Sequence, residues 1–118
     1  MEGPAWGKSP PELVTAFAAA VGGLPGAEPR KMFGFPAAFV NGNLFTGLFE
    51  DRWFVRLPEA ERIELAGAGA ASFEPMPGRP MREYVELPPA LLADEAARDG
   101  WLRRALAHAE GLPPKQKR

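Results

Sequence analysis

The chain has 118 residues, enough for one ordinary core and too few for two. Hydrophobic residues make up 46% and charged residues 25%, with 14 Lys and Arg against 15 Asp and Glu for a formal net charge of −1, so nucleic acid or anionic membrane would need a local patch. Cysteine is absent, which excludes disulfides, thiolate metal sites and cysteine nucleophiles and agrees with a reducing cytoplasm as the expected location.

In chain order, residues 1–8 read as a loose leader without the apolar run of a signal peptide, and no segment has the length of a membrane span. Residues 9–111 read as a single domain. Ser9-Pro10-Pro11-Glu12 has the form of a helix start, with Ser9 as the cap and Glu12 at the capping-box distance. Leu13, Phe17 and Val21 give that helix one apolar face, and Gly22-Gly23 and Pro25-Gly26 end it.

Asn41-Gly42 between apolar runs predicts a two-residue hairpin turn, because both residues tolerate positive φ. It pairs Val40 with Asn43 and Phe39 with Leu44. A second tight turn at Glu50-Asp51 pairs Phe49 with Arg52 and Leu48 with Trp53. Unbroken period-2 alternation then sorts the side chains. One face collects Phe33, Phe35, Ala37, Phe39, Leu44, Thr46, Leu48, Trp53, Val55 and Leu57 and is the expected core face. The other collects Met32, Gly34, Pro36, Ala38, Val40, Phe45, Gly47, Phe49, Arg52, Phe54 and Arg56.

Leu57-Pro58-Glu59-Ala60-Glu61-Arg62 opens a short helix that ends in Gly67-Ala68-Gly69. Ser72-Phe73-Glu74 reads as a short strand, Pro75 to Pro80 as a turn, and Met81 to Leu87 as a strand. A helical turn follows Pro88-Pro89, and a longer helix from about Asp94 to Glu110 carries Trp101, Leu102, Ala105, Leu106 and Ala109 on its apolar stripe. Residues 112–118 are a basic tail. The order α-β-β-β-α-β-β-α predicts an α+β fold: a two-layer α/β sandwich with a mainly antiparallel sheet and helices mainly on one face.

These residues form no recognisable catalytic constellation. His108 sits near a helix C-terminus with no Ser or Cys at triad spacing. Glu50-Asp51 reads as a solvated turn tip, and Glu83 and Glu86 point to opposite faces of one strand. Gly34 is followed by Phe35-Pro36 and more strand, which does not build a phosphate loop. No enzyme, cofactor or metal is expected. The second sheet face is the candidate site: apolar burial by Met32, Phe45 and Phe54, with Arg52 and Arg56 at its rim, suits a protein partner or a homodimer. The alternative is nucleic-acid binding through Arg52, Arg56, Lys115, Lys117 and Arg118.

Lys31-Met32-Phe33-Gly34, Val40-Asn41-Gly42-Asn43-Leu44-Phe45, Arg52-Trp53-Phe54-Val55-Arg56 and Met81-Arg82-Glu83-Tyr84-Val85-Glu86-Leu87-Pro88 together resemble the N-terminal domain of the TfoX/Sxy family. The final helix with Trp101 and Arg103-Arg104-Ala105-Leu106 fits the same pattern, so the resemblance spans roughly residues 10–110. It implies a two-layer sandwich of α-β(3)-α-β(2)-α order and a non-enzymatic regulatory role akin to that of bacterial competence regulators. Those regulators carry a second, helical domain, for which this chain is expected to have no counterpart. The similar YjbR/MmcQ-like proteins, often described as DNA-binding, supply the family precedent for the nucleic-acid alternative.

Overall fold

The computed structural model describes residues 9–76, 78 and 81–114. The leader and the tail residues Lys115, Lys117 and Arg118 lie outside them. Helix α1 (Pro11–Gly22) is capped by Pro10, whose carbonyl accepts from Leu13 N and Val14 N, both at 3.0 Å. Ser9 does not serve as the expected cap: its Oγ is buried without a hydrogen-bond partner among the described residues, one residue too early to reach the first-turn amides.

Strands β1 (Glu28–Met32), β2 (Phe35–Val40), β3 (Asn43–Phe49) and β4 (Arg52–Arg56) form a meander, followed by α2 (Glu59–Gly67), β5 (Ala71–Ser72), β6 (Tyr84–Glu86), the single-turn α3 (Pro89–Leu92) and α4 (Glu95–Glu110). All pairings are antiparallel, in the order β1-β2-β3-β4-β6-β5. The α+β class and the approximate element order agree with the sequence reading. Asp94 caps α4 by accepting from Ala97 N at 3.1 Å. Among the described residues, no helix is long and apolar enough to cross a membrane.

The extra strand β1 escaped the sequence reading because its side chains are almost all exposed and carry no apolar alternation. It meets β2 through a tight turn at Phe33-Gly34, where φ is 57° and 83°, so Phe33 leaves the sheet instead of lying in its core. The expected pairs across Asn41-Gly42 and Glu50-Asp51 are all present. Between them, however, Ala38 opposes Thr46 while Phe39 opposes Leu44, and Phe45 has no partner.

This β-bulge shifts the phase of the alternation. On the helix-covered face, Ala38, Val40 and Phe45 join Leu48, Trp53, Val55 and Leu57 against Phe17 and Val21 of α1, Leu65 of α2, and Leu102, Ala105, Leu106 and Ala109 of α4. Phe35, Ala37, Phe39 and Leu44 turn to the second face beside Phe49 and Phe54. The unbroken alternation had these two sets reversed. Beyond the bulge, the assignments of Thr46, Leu48, Trp53 and Val55 to one side and Gly47, Phe49 and Phe54 to the other stand.

Trp53 is the centre of the helix-side core. The Phe17 ring lies 5.2 Å from it and the Arg98 guanidinium 5.1 Å over its face. Its indole Nε1 donates to Thr46 Oγ1 at 2.9 Å, and that hydroxyl donates to the Phe54 carbonyl at 2.8 Å, all fully buried. Thr46→Val keeps the shape and orphans the indole N–H, so it is expected to cost about 1–3 kcal/mol. Urea unfolding should show a lower midpoint at an unchanged slope.

Candidate functional site

The second face is closed at its centre by the chain itself. Phe73 stacks on Phe54 at 4.2 Å with an interplanar angle of 16°, and Tyr84 meets the same ring edge-on at 5.7 Å. Phe73 N donates to Tyr84 O and Met81 N to Phe73 O, at 3.2 and 2.9 Å, while the Tyr84 hydroxyl reaches the Leu44 carbonyl at 2.9 Å. Phe73 and Tyr84, joined by these backbone hydrogen bonds, therefore act as a cover over Phe54. The left-handed Glu83, with φ 73°, shortens the expected Met81–Leu87 strand to Tyr84–Glu86.

The expected interaction face is not assembled as the sequence suggested. Phe45 belongs to the helix-side core because of the bulge, and Phe54 is fully buried under Phe73. Met32 does pack on the second face, half-buried. Both arginines lie there too, already engaged. Arg52 donates to Glu86 at 3.0 Å and to Glu50 at 3.4 Å, with its guanidinium 5.0 Å over the Phe49 ring. Arg56 donates to Glu83 at 2.8 Å and lies 5.5 Å over Tyr84. The Arg56 hydrogen bond holds the Glu83 carboxyl below the ordinary value of 4.5, whereas burial pushes Glu86 up against the pull of Arg52. Lys115, Lys117 and Arg118 lie outside the described residues.

What stays open is one end of this face. A meander places alternate turns together, so Phe33-Gly34 and Glu50-Asp51 are neighbours, and Phe33 meets Phe49 edge-on at 5.8 Å. Phe33, Phe35, Phe49, Met76 and Met81 line a cleft of about 400 Å³ with Glu50 at its rim. Phe33 is 60% exposed and Met76 61%. A phenylalanine at positive φ costs roughly 1–2 kcal/mol, and its ring is not repaid by burial. Sequence reading missed Phe33 and Met76 as site residues. The available signal was Gly34, since a glycine in second place after Phe33 suits a two-residue turn.

The sequence profile of the TfoX N-terminal domain matches residues 19–109, most of the chain. The protein belongs to the TfoX N-terminal domain family. The match runs from within α1 to the end of α4, so it takes in the meander, the Phe73–Tyr84 cover and the open cleft. No curated protein gives a significant match. In this TfoX N-terminal domain the only histidine, His108, has a buried Nε2 without a hydrogen-bond partner among the described residues, 4.0 Å from Glu83 Oε1.

The two ends of the second face should respond oppositely to truncation. Phe73→Ala is expected to cost about 3–5 kcal/mol through the cavity above Phe54. Phe33→Asn relieves the left-handed strain and loses only an edge contact worth about 0.5–1.5 kcal/mol, so stability should stay within about 1 kcal/mol of the parent. Differential scanning calorimetry of both variants checks this. Because the folded-state pKa of Glu83 is lowered, its stabilisation is present above the ordinary value and is lost as pH falls through the folded one. The side chain is 42% exposed, so the effect is small: Glu83→Gln should flatten slightly the loss of stability measured from about pH 5 to 3.

Proposed function

We propose that this TfoX N-terminal domain is a non-enzymatic interaction module of a regulatory kind, docking a partner protein at the Phe33–Met76 cleft. One observation carries the reading: a strained turn holds the Phe33 ring out in solvent, over an apolar cleft, with only an edge contact to Phe49 in return. Strain with so little packing gain is characteristic of positions selected for contact with something else. Met76, exposed to the same degree, also lines the cleft and gives it an adaptable wall. A regulatory role akin to that of the competence regulators is consistent with family membership and with a surface that binds without reacting.

Of the five basic residues of the nucleic-acid alternative, Arg52 and Arg56 are already paired with carboxylates, and the other three lie outside the described residues. A phosphate would have to displace Glu50, Glu83 and Glu86 from Arg52 and Arg56, and the net charge of −1 offers no compensating attraction. Salt-sensitive DNA binding that disappears in Arg52→Ala would restore it.

A photo-crosslinking phenylalanine analogue introduced at position 33 tests the docking reading in cells, with position 63 as the control because Ile63 is equally exposed, at 65%, on α2. A discrete protein adduct is expected from position 33 and none from 63. Equal adducts at both positions, or none at 33, would count against the cleft.

A further inference from the structure

Resting on that reading, we infer that the segment received by the cleft is a short cationic stretch of a partner protein carrying one or two aliphatic or aromatic anchors, and that it is not a second copy of this chain. The apolar end, formed by Phe33, Phe35, Phe49, Met76 and Met81, has the volume for a few side chains and no room for a folded surface to seat deeply. Directly beside it, sharing Phe49, Glu50 and Pro75, lies a polar hollow whose ionisable lining is Glu50, Arg52, Glu74 and Glu86.

Three carboxylates thus face one guanidinium, and that guanidinium is already divided between Glu50 and Glu86. Glu74 has no cationic partner among the described residues, and the same holds for Asp51 at the neighbouring turn tip. The Asp51 and Glu74 charges both act on Glu86, so the acids form one cluster. An apolar anchor in the cleft would carry an adjacent Lys or Arg of the partner onto Glu74, which no described cation engages. The Phe33 ring, free on one side, also offers a guanidinium the stacking that Arg52 makes on Phe49.

The same charges work against self-association. In a two-fold interface through the cleft the second copy would bring the same three carboxylates and one guanidinium, and so no spare cation for Glu74 from these linings. The sheet edges are no easier. Met32 and Phe35 close a two-residue turn and so exchange backbone hydrogen bonds, which makes Arg30 and Glu28 the next inward-bonded residues of β1. Pro29 and Lys31 then face outward, and Pro29 has no N–H to offer. The opposite edge, β5, is two residues long.

The full chain is titrated by fluorescence anisotropy with three labelled twelve-residue peptides that share their leucine and phenylalanine positions and differ in the spacers: arginine, serine or glutamate. The arginine peptide is expected to bind at least tenfold more tightly than the glutamate peptide, and to weaken several-fold when salt is raised from 50 to 300 mM. Phe33→Asn should abolish this binding, and Glu74→Lys should reverse the preference. Equal binding of the three peptides, indifference to salt or Glu74→Lys, or full retention by Phe33→Asn would overturn the inference. So would failure of the arginine peptide to bind; if position 33 still captured a protein in cells, the docking reading would survive and only its cationic chemistry would fall. A concentration-dependent doubling of mass in sedimentation, lost in Phe33→Asn, would identify a second copy and likewise overturn it.

Discussion

The architecture turns on one unpaired residue. Phe45 stands in β3 without a partner in β2, and the phase of the pleat changes there. Phe45 and Thr46 consequently both serve the helix side, where Phe45 fills the core and the Thr46 hydroxyl ties the Trp53 indole to the Phe54 carbonyl. The cost appears on the other face. Ala37, Phe39 and Leu44 are moved there, and with Phe49 and Phe54 they make an apolar surface too large to leave in water. The Phe73–Tyr84 cover answers that surface. Gly47 lets it sit low: a Cβ at this position would stand 2.6 Å from Phe54 Cζ, so only glycine allows the Phe54 ring to lie where Phe73 can stack on it.

Much of this was legible in the residues. Asn41-Gly42 and Glu50-Asp51 announce their turns, Asp94 announces the start of α4, and the order of elements follows from the spacing of apolar runs. The bulge was not legible, because period-2 reasoning assumes continuity and neither Phe45 nor Thr46 is a residue type reserved for bulges. A single missed residue was enough to reverse seven side chains. Strand β1 failed for a different reason: an exposed edge strand needs backbone partners and no hydrophobic signal.

The candidate site shows the same limit in electrostatic form. Aromatic residues alternating with Arg52 and Arg56 look like a free binding face when only their own strand is considered. The acids that engage them come largely from elsewhere: Glu86 is 34 residues from Arg52 and Glu83 is 27 from Arg56. Local composition identifies a cation and says nothing about whether its charge is spent. Phe54 illustrates the apolar counterpart, since Phe73, which buries it, lies across α2 in sequence. A face that is vacant strand by strand is closed once the chain returns over it.

That return is incomplete for a geometric reason. The cover is fixed by Phe73 over Phe54, at the middle of β4, and by Tyr84 against Leu44, near the start of β3. The paired turns lie beyond it, where β1 and β2 end and β3 passes into β4. The chain has a bulky ring at positive φ, an exposed methionine lining the same cleft and, among the described residues beside it, three carboxylates to one guanidinium. Each of the three is mildly unfavourable to the isolated fold, through strain, exposed apolar area and like-charge crowding respectively. Because they converge on one end of one face, a single complementary segment could relieve all three at once. That shared remedy ties the cleft to binding more closely than any one of them would alone.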